Sequence, residues 1–186
     1  MADESIKPTR SSNPAPLGLL GFGMTTVLLS LYNADVLPLD GVTLMMGVFC
    51  GGLVQILAGV MEYRNGNTFG TVAFTLYGAF WLVFAGIKTD ITGFGSCADT
   101  MGVFCLLWGI LTVFLFIGTL RGRTSSKVVF STLALTFMFL AVADLSGSEF
   151  LTVAAGAVGV FCGLSAMYTA FAEVLAEQYG EEVMPF

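Results

Sequence analysis

Six apolar stretches divide this chain, at about 17–36, 41–61, 69–87, 100–120, 128–143 and 150–175. Each is near the roughly 20 residues that an α-helix needs to cross the hydrocarbon layer of a bilayer. In lipid the backbone must satisfy its own N–H and C=O groups, so stretches of this length fold as helices. The fifth is short, but Lys127 at its edge can snorkel, and Ser125 and Ser126 can enter the interface. The connections, at about 33–40, 62–68, 88–99, 121–127 and 144–149, leave no room for a separate domain. The expectation is an all-α membrane protein. A polar leader covers 1–12, a six-helix transmembrane domain covers 13–176, and a tail covers 177–186. Composition agrees: 56% of the residues are hydrophobic and 11% charged, against roughly 25% charged in soluble domains. The leader has no apolar core and does not read as a cleavable signal peptide.

Basic residues set the orientation. With the N-terminus inside, the cytoplasmic side collects Lys7, Arg10, Arg64, Arg121, Arg123 and Lys127, and only Lys88 of the seven falls outside. Asp35, Asp40, Asp90, Asp99, Asp144 and Glu149 then face outward. Both termini are expected in the cytoplasm. The basic residues are too few and scattered to hold nucleic acid, and net charge is −6.

An internal repeat runs through the spans. Gly-Val-Phe-Cys occurs at 47–50, 102–105 and 159–162, in the second, fourth and sixth segments. Two copies extend to a Gly-xxx-Gly pair, Gly47/Gly51 and Gly159/Gly163, a pattern that suits tight helix packing. The pairing has an echo. Gly52-Leu53 stands as far before Glu62 as Gly163-Leu164 stands before Glu173. This period predicts three helical hairpins with pseudo-threefold character around a central pathway, although small-residue seams recur in any polytopic protein. Stepping by the same period from Phe22 lands on Tyr77 and then Leu133, each followed by a small residue. Converging at one level, these three would form a hydrophobic gate. A core cluster is the alternative.

No catalytic constellation is present. The chain has no histidine, the commonest general base and metal ligand. Cys50, Cys105 and Cys162 lie in apolar spans with no zinc-type spacing, so neither metal nor cofactor is expected. What remains is a polar, uncharged path of hydroxyls and amides, among them Thr25, Thr75, Tyr77, Ser165 and Gln55. An amide at the depth of Gln55 needs a partner, which a neighbouring helix or a solute would supply. Glu62 and Glu173 lie at helix ends, either as solvated interface charges or as groups coupled to protons.

The missing cation limits the solute. An inorganic anion would call for Arg or Lys in the pathway and a cation for a ring of acids. A short-chain carboxylic acid is easier to accommodate. With a pKa like that of Glu, about 4.3, roughly one molecule in 500 is neutral at pH 7, a penalty of about 3.7 kcal/mol. Carrying the bare charge past mid-membrane costs at least about 3 kcal/mol. The two routes are close in energy, and both stay open.

The first span opens with Asn13-Pro14-Ala15-Pro16-Leu17-Gly18-Leu19. Asn13 is a good helix N-cap, and Pro14 suits the first helical position because its missing N–H would have no partner there. Gly18, Gly21 and Gly23 would each cost about 1 kcal/mol in a helix in water. In lipid they let helices, or a small solute, approach the backbone.

NPAPLGLLGFGMTT at 13–26 resembles the signature of the acetate uptake transporter family, the succinate–acetate permeases of bacteria, archaea and fungi. GGLVQILAGVMEYRNGNTFG at 51–70, AFTLYGAFW at 73–81, LLWGILTVFLFIGTLRG at 106–122 and AEVLAEQYG at 172–180 are similar to it in order. The resemblance implies a six-helix protomer of the inner membrane, assembled as a homohexamer, with a pathway through each protomer. It implies uptake of acetate and related short-chain carboxylates, and of succinate in some members, proton-coupled or channel-like. A passive channel for anions or small neutral solutes such as ammonia is the alternative. The family's constriction falls on Phe22, Tyr77 and Leu133, its signature on Asn13, Pro14, Pro16 and Gly18, and its specificity positions on Ser165 and Ala166.

Overall fold

The computed structural model describes residues 12–185, and every regular element among them is helical. The expectations for the leader, Lys7 and Arg10 included, lie outside the described residues. Six helices are long and apolar enough to cross a membrane: α1 Ala15–Asn33, α2 Gly41–Arg64, α3 Thr68–Lys88, α4 Ala98–Thr119, α5 Thr124–Ser146 and α6 Glu149–Tyr179. The fifth is longer than its apolar run, because Ser125, Ser126 and Lys127 are already helical. It stops at Gly147, whose φ of 68° is the left-handed conformation that ends a helix without a Cβ clash. Ser148 then caps α6 by accepting from the Leu151 N–H, so the expected connection at 144–149 shrinks to two residues, Gly147 and Ser148.

The start of α1 differs from expectation. Asn13 is not the N-cap; Pro14 holds that position and Pro16 sits in the first turn. The Asn13 Oδ1, one residue before the N-cap, still accepts from the N–H of Ala15, the first helical residue, at 3.1 Å.

The repeat glycines lie at helix crossings. Gly47 and Gly51 of α2 face Trp81 of α3, Gly102 of α4 faces Ala141 and Leu145 of α5, and Gly159 of α6 faces Ser30 of α1. The most extensive crossing is between α1 and α6. A Cβ on Gly23 would stand 2.7 Å from the Gly163 carbonyl oxygen, and one on Gly163 would stand 2.7 Å from that of Gly23. Backbones this close need glycine on both sides. The α3 and α4 helices, by contrast, barely touch.

The first repeat copy opens a π-helical stretch, Gly47–Val54, inside α2. A Cβ on Gly52 would lie 3.0 Å from the oxygen of Gly47, five residues back. The wider π turn takes in more residues than the 3.6 of an α-helix. It therefore turns the face that presents Gln55 and Glu62 relative to the start of α2. The core is aromatic, built on Phe22, Tyr77, Phe80, Trp81, Phe130 and Phe137, while α4 turns Leu107, Phe114 and Ile117 outward.

Candidate permeation pathway

A cavity of about 190 Å³ opens toward the end of the bundle that carries residue 12. About 10–15 Å³ holds one water, so the space suits a small organic acid with water. Its lining climbs three helices: Ala15, Leu19 and Phe22 on α1, Gly70 to Tyr77 on α3, and Ser126 to Leu133 on α5. Phe22, Tyr77 and Leu133 are the farthest lining residues on each, and they are 5%, 3% and 4% exposed. They face inward rather than to lipid. The Phe22 and Tyr77 rings lie 6.0 Å apart, and Tyr77 is flanked by Trp108 at 6.1 Å and Phe130 at 6.3 Å.

Beyond these residues lies a second cavity, of about 140 Å³, toward the opposite end. It begins at Leu29, Phe80 and Leu140, and Phe104, Cys105, Lys88 and Asp144 also line it. Counted along α1, α3 and α5, three to seven residues separate the two linings, or about 5–10 Å of helix rise. That gap is filled by rings: Phe80 stacks on Phe104 at 5.5 Å and meets Phe137 edge-on at 5.2 Å.

The polar groups of the first cavity, of about 190 Å³, are sorted by depth. At the mouth, Glu173 joins three segments: its Oε2 accepts from the Asn13 side-chain amide at 2.9 Å and its Oε1 from Arg123 at 3.2 Å. Glu62 is 3% exposed, with Oε2 accepting from the Asn67 amide at 2.8 Å and Oε1 buried without a partner. Deeper lie Gln55, Thr169 and Tyr77. Gln55 is 1% exposed and its Oε1 has no partner. The Thr112 hydroxyl donates to the Trp108 carbonyl at 2.7 Å, so in the 2.9 Å bond between Tyr77 and Thr112 the tyrosine is the donor. Thr169 donates to the Ser165 carbonyl at 2.8 Å.

Six of the site residues named from sequence line this one cavity: Phe22, Gln55, Glu62, Tyr77, Leu133 and Glu173. Ala166 is buried in the surrounding core cluster. The others lie elsewhere. Thr25 bonds the carbonyls of Gly21 and Met46 between α1 and α2, and Thr75 stands against Gly59 of α2. Ser165 faces a separate recess beside Tyr168 and Pro185. Gly18 packs under the Phe74 ring, Pro14 and Pro16 are buried, and Asn13 is exposed at the mouth. Sequence reasoning missed Asn67, Phe80 and Phe104. Phe80 is one turn past Tyr77, and that spacing was the available signal.

This bundle of membrane-length helices around two facing cavities has known counterparts. The chain belongs to the GPR1/FUN34/yaaH family, whose pattern matches residues 3–183. It is 48% identical over 181 residues to the succinate-acetate/proton symporter SatP of Escherichia coli (strain K12), covering 95% of this chain and 96% of that one. A solved structure of the bacterial acetate channel SatP superposes with a TM-score of 0.93 at 46% identity, covering 95% of this chain and 99% of the other. Ammonia transport outward protein 2 of Saccharomyces cerevisiae is 34% identical over 90% of this chain, which spans 63% of the yeast protein. These relatives are transporters and a channel, not enzymes.

Proposed function

We propose that the chain carries acetate and related short-chain carboxylates across the inner membrane, succinate among them. The observation that supports this best is the pair of cavities facing each other across a buried, uncharged barrier. Phe22, Tyr77 and Leu133 act as the gate, and a pathway of this kind runs through each protomer of a homohexamer. The six-helix domain over 13–176 has pseudo-threefold character, a reading favoured by the repeat glycines meeting α3, α5 and α1 in turn. Both termini lie in the cytoplasm, so the cavity lined by Gln55, Glu62 and Glu173 is the cytoplasmic vestibule. Glu62 and Glu173 are the groups placed to take up a proton there if transport is coupled to one.

The alternative is a passive channel for anions or small neutral solutes such as ammonia. The orphan acceptors on Gln55 and Glu62 favour a solute with protons to donate, which ammonia also has. Counterflow of labelled acetate in proteoliposomes, against a panel of unlabelled acids, separates the two. Acceleration by short-chain acids above protein-free vesicles is expected. Ammonia flux without acetate counterflow would favour the channel reading.

A further inference from the structure

The hydrogen-bonding capacity of the inner cavity is one-sided at its deep end. Tyr77 gives its proton to Thr112 and Thr169 gives its own to the Ser165 carbonyl. Both therefore meet a solute only with lone pairs. The remaining polar side chain at this level is Gln55, buried and without a hydrogen bond to any described residue. Glu62 lies seven residues nearer the mouth, about 10 Å of helix rise. A buried amide left without partners is costly, and its one open side is the cavity.

A carboxylate has acceptors alone. Here it would meet two hydroxyl lone pairs and an amide oxygen, with only the amide N–H to receive it. A neutral carboxylic acid carries one donor and one acceptor side by side, the complement of a primary amide. We infer that Gln55 is the carboxyl-recognition residue beneath the gate and that it takes the protonated acid. Its Nε2–H donates to the acid's carbonyl oxygen while its Oε1 accepts the acid's O–H. Either orientation of the amide serves. The inference rests on the transport reading above and adds the form of the solute: the proton crosses on the acid.

The ionisable groups lining this cavity are Glu62 of the same helix, Tyr77 of α3 and Glu173 of α6, which Arg123 partly neutralises; α1 and α5 contribute none. The test must separate their titration from that of the solute. Uptake of acetate, fluoroacetate and difluoroacetate, acids of rising strength and similar size, is measured in proteoliposomes between pH 5 and 8, above protein-free vesicles. Rates are expected to track the neutral fraction, falling about tenfold for acetate from pH 6 to 7 and following acid strength across the series. Gln55→Leu should lower acetate uptake at least about tenfold. Gln55→Glu keeps the shape and recognises an acid only when itself protonated, so it should steepen the acetate profile beyond tenfold per pH unit, which a merely structural role would not do. If Gln55→Leu fails to fold, Gln55→Glu decides. Equal rates for the three acids, or a Gln55→Glu slope like that of the wild type, overturn the inference while transport stands. No acetate uptake by the wild-type protein at any pH removes the transport reading itself.

Discussion

The two cavities are similar in size, about 190 and 140 Å³, and both are largely apolar, yet their charged groups are held differently. At the inner mouth Glu173 ties the start of α1 to the α4–α5 connection, and Glu62 is tied to the start of α3 through Asn67. At the outer mouth Lys88 makes no ion pair among the described residues; its Nζ lies 5.6 Å from the Phe84 ring centre. Asp144 lines the same cavity within electrostatic reach of Lys88 but not in an ion pair with it, and the Cys105 thiol stands 4.0 Å away. One mouth spends its charges on holding segments together. The other leaves a cation available to a solute.

The assignment of inner and outer can be broken outright. Cys97 is exposed on the α3–α4 connection, whereas Cys105 and Cys162 are buried. Its hydrogen bond with the Thr100 hydroxyl holds the thiol below its ordinary range. A maleimide that cannot cross membranes should label intact cells at one site, which Cys97→Ser abolishes, and labelling should persist to lower pH than for a free thiol. Labelling only after permeabilisation would invert the two mouths. Next in size is the barrier between the cavities. Leu133→Ala removes one of its three bulky side chains and should raise lactate uptake at least about tenfold relative to acetate. An unchanged size limit in a graded acid series would count against the gate.

Much of this arrangement was legible in the chain because lipid imposes simple rules. Twenty apolar residues must be a helix, and a glycine repeated at one register marks where helices meet, as Gly47, Gly102 and Gly159 do. The same period selected Phe22, Tyr77 and Leu133, which share one cavity wall. Hydroxyl direction was not legible. A threonine in a membrane helix can turn to its own backbone, and Thr25 and Thr75 sit at helix crossings rather than in the cavity lining. Nor was the mouth, since Asn13, Arg123 and Glu173 meet only through tertiary structure. The π stretch at Gly47–Val54 has no periodic signal of its own.

Smaller effects sharpen the contrast between the mouths. Lys88→Met should weaken binding of the acetate anion at that mouth, read by titration calorimetry, about threefold at low ionic strength, on the order of 0.6 kcal/mol for an exposed charge, and the difference should fade as salt screens it, whereas uptake of the neutral acid feels no such field and should not change. A loss that salt does not touch would place Lys88 in packing rather than in attracting the solute.

The smallest effect is expected at the inner mouth. Glu173→Gln removes the ion pair with Arg123, a bond whose arginine side chain is 54% exposed, and such pairs contribute about 0–1 kcal/mol. The glutamine keeps an acceptor for the Asn13 amide, so the start of α1 stays anchored. Apparent melting temperature should therefore fall by no more than about 4 °C. The pH slope of acetate uptake should not move, since the proton travels with the acid and Glu173 serves as a tether. A flattened slope in Glu173→Gln would instead locate proton coupling on this carboxylate, and the inner mouth would then be part of the transport step rather than the frame around it.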